Sequence, residues 1–361
     1  SDKNGKYQLV LRDQKAADQE VYIDLGKGLF FFEPTWSPDS KKVFFNDAHL
    51  NLYYVDIDTK NVVLVDADKL ASITGRTRNH FQPSWSFDSN WIAYIKSLAN
   101  GVDAVFMYNL ETKESHQITD GMSEVSSPVF SRDGKYLFFT ASTNTGLTNS
   151  GLHMSAYERN PQYNVYAFIL SKNSASLFKN ESDEETIKED KVEDPKNDVK
   201  KVDKNKGKED AKVAAKSAPK KLNVDFDNIN NRIIALPLAA GYYRLDGNVE
   251  NMLIYQKGRA IGAFDLEKLE DKIFVDNARG FRISADGKKM IYNVGRDFYI
   301  VNAGQKPVPN AGKLKTDDFK FEVDPAAEWK QIFNEVWAMQ KEFFYVENMH
   351  GADWEAVKAK Y

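Results

Sequence analysis

Four times along this chain an aromatic or apolar residue is followed by Ser-x-Asp, a turn residue and then a hydrophobic run. The copies are Trp36-Ser37-Pro38-Asp39-Ser40 before Val43-Phe44-Phe45, Trp85-Ser86-Phe87-Asp88-Ser89 before Trp91-Ile92-Ala93-Tyr94, Phe130-Ser131-Arg132-Asp133-Gly134 before Tyr136-Leu137-Phe138-Phe139, and Ile283-Ser284-Ala285-Asp286-Gly287 before Met290-Ile291-Tyr292. A weaker copy, Leu245-Asp246-Gly247-Asn248, precedes Met252-Leu253-Ile254-Tyr255. Ser and Asp side chains bond backbone N–H groups two or three residues on, and Gly or Ser accepts tight turn geometry, so each copy reads as a corner where the chain reverses.

After each corner comes one strand and then another, such as Leu52-Tyr53-Tyr54-Val55 or Val105-Phe106-Met107-Tyr108. A polar turn (Asp58-Thr59-Lys60, Glu111-Thr112-Lys113) and a third strand follow. Successive corners lie roughly 45 residues apart, the length of one four-stranded propeller blade. A β-sandwich would show turn signals without one signature at that interval. The predicted fold class is therefore mainly β: a β-propeller of about five to six four-stranded blades, followed by a C-terminal α-helical segment. Tyr7 to Val10 and Glu20 to Leu25 read as the outer strands of a blade whose start is missing, so a closed ring needs sequence upstream of Ser1.

Between Glu181 and Lys221 the chain turns to Lys, Glu, Asp and Asn with no aromatic residue. Such a stretch has too little apolar surface to offset its ordering entropy, and disorder is expected there. Strand character on both sides, Tyr163 to Leu170 and Ile233 to Leu236, makes it an insertion within a blade. Elsewhere the 23 Phe and 17 Tyr supply ample material for a core. The net charge of −4 offers no basic field for a phosphate backbone, so nucleic acid is not an expected partner. No cysteine occurs, which excludes disulfides and thiolate zinc sites but leaves the compartment open. No run approaches the ~20 apolar residues of a membrane span. The N-terminus, Ser1-Asp2-Lys3-Asn4-Gly5, lacks an initiator Met and a signal peptide's apolar stretch, and reads as a point of processing.

From Asp324 the apolar period changes from two to about 3.6. Trp329, Ile332, Phe333, Val336 and Trp337 fall on one helical face, which Phe343 and Phe344 continue. Asp324-Pro325 is a good N-cap and first-turn pair, and Asp353 caps a second helix bearing Trp354, Val357 and Tyr361. The first face is more aromatic than a lone appended helix keeps dry, so a packing partner is expected. The division predicted is 1–323 for the propeller and 324–361 for the start of a further helical domain.

The segment Trp329 to Tyr361, above all Phe343-Phe344-Tyr345 and Asn348-Met349-His350-Gly351-Ala352-Asp353-Trp354, resembles the start of the protease core of tricorn-type proteases. The Trp-Ser-Pro-Asp blades, the Lys/Glu-rich insert, and Val224-Asp225-Phe226-Asp227 through Arg232-Ile233-Ile234-Ala235-Leu236-Pro237 are similar to bacterial members of that family. The resemblance implies a serine peptidase core like that of C-terminal-processing peptidases, whose Ser and His lie beyond these helices. It thus assigns this chain no catalytic residue and a role in routing peptides to, or products from, an enclosed site. It also implies the remainder of the protease core as a partner, possible homo-oligomers and a cytoplasmic location. A TolB-like propeller, a periplasmic interaction scaffold without enzymatic activity, is the alternative; a prolyl-oligopeptidase arrangement ranks third, because this chain enters an aromatic helix where that fold needs strands and a glycine run.

The remaining motifs read as structural. The five histidines (His49, His80, His116, His153, His350) never fall at ligand spacing, so neither a metal site nor a cofactor is expected. Asp56-Ile57-Asp58 lacks the Gly and distal Glu of a calcium loop and reads as a hairpin. No Gly-x-Ser-x-Gly elbow occurs. One long connection, Ala141 to Gln162, is rich in Gly, Asn, Ser and Thr. Its His153, Tyr157 and Arg159 are the candidate contacts for a peptide or for the protease core, since long propeller loops often carry contacts.

Overall fold

The computed structural model describes residues 7–13, 15–16, 19–26, 30–70, 80–143, 162–174, 177–178 and 221–361. Among the described residues twenty-one strands form six antiparallel sheets. Two strands, β1 (Leu9–Arg12) and β2 (Glu20–Ile23), pair alone. Four complete meanders follow. The first is β3 (Phe31–Trp36), β4 (Lys42–Asp47), β5 (Asn51–Asp56) and β6 (Val62–Ala67). The second is β7 (Ser84–Trp85), β8 (Trp91–Ser97), β9 (Asp103–Asn109) and β10 (Ser115–Gln117). The third is β11 (Glu124–Phe130), β12 (Tyr136–Ser142), β13 (Asn164–Ile169) and β14 (Ile233–Ala235), and the fourth is β15 (Tyr243–Val249), β16 (Met252–Lys257), β17 (Ala260–Asp265) and β18 (Glu270–Val275). A fifth has only β19 (Ala278–Ile283), β20 (Lys289–Val294) and β21 (Asp297–Asn302). The edge of β21 is covered by residues 312–314, through Ile300 N–H to Gly312 O at 2.9 Å and Leu314 N–H to Phe298 O at 2.8 Å. The sequence expectation of uniformly four-stranded blades thus holds for four sheets, while the fifth replaces its outer strand with this short strap.

The repeated corner has one geometry at all four strong copies. Ser37, Ser86, Ser131 and Ser284 each donate Oγ–H to the Asp two residues on, at 2.5, 2.6, 2.6 and 2.6 Å. The same Oγ accepts the N–H of Lys42, Trp91, Tyr136 or Lys289, each at 2.9 Å. The Asp then accepts a turn N–H, from Lys41, Asn90, Lys135 or Lys288. The weaker copy is not a corner. Asp246-Gly247 lies within β15 at a bulge, and the reversal comes after it at Glu250, φ 51°.

The inner sheets are apolar on both faces because each is sandwiched between neighbours. On β8, Ile92 and Tyr94 face back to Phe44, Leu52 and Tyr54, while Trp91, Ala93 and Ile95 face forward to Phe130, Leu137 and Phe139. Similar layers join the third sheet to the fourth (Phe138, Val165 with Leu245, Tyr255) and the fourth to the fifth (Ile254, Ile261 with Phe281, Met290). Ile23 and Leu25 of the opening pair cover Val43, Phe45 and Val55 of the first sheet.

Of the segment 181–221 only Lys221 falls among the described residues. From there the chain runs along the outside of the second and third sheets. Lys221 meets Glu111 at 2.6 Å, Leu222 N–H bonds Asp88 at 2.8 Å, and Phe226 stacks on His116 at 3.9 Å between ring centroids. Arg232 ends this stretch as a knot: its guanidinium donates to the carbonyls of Ile169 (2.7 Å), Leu170 (2.9 Å), Asp227 (2.9 Å) and Asp225, and lies over the Phe168 ring.

Two helices close the chain, α1 (Pro325–Phe343) and α2 (Trp354–Lys360). Asp324 accepts the Ala326 N–H at 3.0 Å and Asp353 accepts the Ala356 N–H at 3.0 Å, so both expected N-caps form. The expected single aromatic face is split. Trp329, Ile332, Phe333 and Val336 stay exposed, whereas Trp337 turns to Trp354, 6.2 Å away, under the ammonium of Lys358. Phe344 lies outside the helix as its C-cap.

Candidate axial channel

The first strands of successive sheets approach one another, β11 lying against both β7 and β15, and β15 against β19. The sheets therefore radiate from an axis bordered by β3, β7, β11, β15 and β19. Each of these edges is interrupted at a matching place. Glu33, Gln82 and Ser127 take left-handed φ of 51°, 44° and 53°, each just before a proline, and the fourth and fifth edges bulge at Asp246-Gly247 and Arg279-Gly280. A bulge leaves one residue out of the ladder and re-aims its side chain. Proline suits it, having no N–H to lose on an edge strand.

Several of the displaced groups stitch one blade to the next. Gln82 Oε1 accepts Ser126 Oγ–H at 2.8 Å and Ser127 N–H at 2.6 Å. Asp246 accepts Arg282 Nη1–H and Ile283 N–H, both at 2.7 Å. Burial, the largest influence, raises the pKa of Asp246, against the opposing pull of Arg282 and these hydrogen bonds. Trp85 Nε1–H reaches Thr35 O at 3.1 Å. At the corners, Arg132 bonds Asn248 O (2.9 Å), Ala285 O (2.6 Å) and Ser284 O (3.0 Å), so one guanidinium spans three blades.

Arg244 projects into this axis from β15. Its pKa is lowered first by desolvation and then by neighbouring Arg282, with Asp246 and Glu33 pulling the other way. Glu33 belongs to the first sheet and Arg244 to the fourth, so a carboxylate and a guanidinium face each other across the axis.

A second concavity lies where α1 meets the first sheet. It has a volume of about 580 Å³ and is lined by Leu25, Phe31, Asp47, His49, Tyr53 and Glu342 among others. The contacts that hold the helix there include His49 Nε2 to Glu342 at 3.2 Å, Tyr7 O–H to Glu335 at 2.6 Å, and the rings of Phe30 and Phe343 at 5.7 Å. Tyr53 donates to Asp47 at 3.3 Å, and burial with that carboxylate pushes its hydroxyl up to about 12.

The candidate contacts His153, Tyr157 and Arg159 lie outside the described residues. His80 is buried against Asp68 at 2.7 Å, and His350 meets the Tyr345 hydroxyl at 2.5 Å. Among the described residues no group of three or more His, Asp or Glu is placed to hold a metal, and no helix is long and apolar enough to cross a membrane.

The tricorn protease second beta propeller domain matches residues 1–304, and the tricorn protease C1 domain matches residues 325–361. The chain belongs to the tricorn protease family. A putative tricorn-like protease C-terminal subunit of Sulfurisphaera tokodaii is 26% identical over 373 residues, covering 98% of this chain and 38% of the relative. A tricorn protease homolog of Saccharolobus solfataricus is 23% identical, covering 90% of this chain and 28% of the relative. The chain thus spans well under half the length of these tricorn relatives. The crystal structure of the tricorn protease superposes with a TM-score of 0.71 at 15% identity, over 99% of this chain and 33% of that one, a likeness of fold.

Proposed function

We propose that this chain is the non-catalytic propeller portion of a tricorn-like serine protease, conducting peptides to or from a peptidase core whose catalytic residues lie elsewhere in the protein. The carrying observation is the continuity of the family match from the radial sheets into the helices after Asp324, where we place the domain boundary. A channel bordered by five strand edges and lined with polar bulges offers extended peptide a path with hydrogen-bonding walls. The exposed stripe of Trp329, Ile332, Phe333 and Val336 then receives the remainder of the core, which satisfies the need for a packing partner. His153, Tyr157 and Arg159 contact peptide or core in this reading. The assembly is a homo-oligomer in the cytoplasm. The test compares this chain with the full-length protein on unstructured peptides. Turnover by the full-length protein alone is expected; turnover by this chain, or an inert full-length protein, refutes the reading.

A further inference from the structure

The channel contains a guanidinium that the fold leaves unused. Gln82, Asp246, Arg282 and Arg132 are each committed to a neighbouring blade. Among the described residues no hydrogen-bond acceptor reaches Arg244. Its guanidinium stands beside the fifth blade, where a Cβ on Gly280 would lie 3.7 Å from Nη1. The side chain remains open to solvent, while desolvation by the surrounding wall and then the neighbouring Arg282 lower its pKa. Water still reaches this guanidinium, and a planar fork of donors is suited to exchanging that water for a carboxylate held through two parallel bonds. Glu33 on the opposite wall repels an anion, while Asp246, the acidic group on the Arg244 side, is paired with Arg282 at 2.7 Å.

We propose that Arg244, flanked by Arg282, is a carboxylate-binding station in the axial channel that holds the C-terminal or acidic side-chain carboxylate of a peptide. This rests on the reading of the channel as a peptide path. The proposal is tested by fluorescence anisotropy of this chain with four labelled peptides sharing one uncharged sequence: a free C-terminus, a C-terminal amide, an amide with one internal Glu, and the same amide with Gln. The carboxylate-bearing peptides are expected to bind about tenfold tighter than their neutral counterparts, or about 1.4 kcal/mol. The free-terminus and internal-Glu arms tell which source of carboxylate is held. Arg244→Met abolishes the preference, and Arg244→Lys, which keeps the charge and loses the fork, retains part of it. Equal affinity of the unmodified chain for charged and neutral peptides overturns the proposal without recourse to any variant. So does an undiminished preference in an Arg244→Met protein whose circular dichroism is unchanged, or failure of the chain to bind any of the peptides. Hydrolysis of all four by the full-length protein with equal kcat/KM sinks the carboxylate station and leaves the peptide path standing; an inert full-length protein sinks the path itself.

Discussion

Removing the corner hydroxyl tests whether burial or geometry sets the strength of the repeated turn. Ser86 and Ser131 are fully buried, at 0% exposure, and each Oγ is at once donor to Asp and acceptor for a strand N–H at 2.9 Å. Ser284 makes the same two bonds, at 2.6 and 2.9 Å, on a solvent-facing rim. Replacement by Ala strands a buried N–H at the first two sites, at a cost of about 2 kcal/mol each, whereas at Ser284 water fills the gap and the loss is about 0.5 kcal/mol. With an unfolding entropy of ~2.1 cal/mol/K per residue over a propeller of this size, ~0.5 kcal/mol/K in all, those losses lower Tm by about 4 °C and about 1 °C. Differential scanning calorimetry on Ser86→Ala, Ser131→Ala and Ser284→Ala reads the difference directly. Equal shifts at all three sites, or the largest at Ser284, would refute the argument from burial.

Gly312, at φ 72°, holds the strap over β21, and a Cβ there would collide with the Ile300 carbonyl, which cannot yield. Gly312→Ala is expected to cost about 3 kcal/mol, against about 1 kcal/mol for Gly258→Ala, where φ is 59° and the space is open; urea denaturation ranks the two. Asp265 has a pKa lowered first by the N–H of Lys268, opposed by slight burial and reinforced by the N–H of Glu267. A folded pKa below the unfolded one stabilises above the unfolded value and is lost as pH falls through the folded one. The Tm gap between the unmodified chain and Asp265→Asn is therefore present at pH 7 and closes below the ordinary aspartate value of 3.8; a gap unchanged down to pH 2 contradicts this. Trp337→Ala removes the platform shared by Trp354, Lys341 and Lys358. Loss of about 2 kcal/mol of docking should accelerate amide exchange in α2 roughly 30-fold while leaving β8 and β9 unchanged.

The corners were legible because their chemistry is local: Ser, Asp and the turn glycine act within six residues of one another. The helix caps at Asp324 and Asp353 were legible for the same reason. What escaped were features whose partners are distant in sequence. The prolines at 34, 83 and 128, each three residues before a corner Ser, carried a readable signal for the axial bulges, but their meaning depends on where the five edges meet. Asp246 was misread as a turn residue because its true partners, Arg282 and the Ile283 N–H, belong to the next blade. Arg232 gave no sign of gathering carbonyls from both sides of a long insertion. Helical periodicity placed Trp337 correctly on the helix but could not say that Trp354 would draw it away from the stripe.

Among the described residues no sheet combines strands from the two ends of the chain. Each blade therefore draws its cohesion from the layers shared with its immediate neighbours, as in a one-dimensional array whose total stability is a sum of adjacent couplings. Such an array has a gradient: the second and third sheets are clamped from both sides, while among the described residues the fifth shares an apolar layer with the fourth alone, through Ile254, Phe281 and Met290, and opens at lower free energy. Lateral parting of the fifth blade breaks no strand pairing, and it would widen the axis at the wall that carries Arg282.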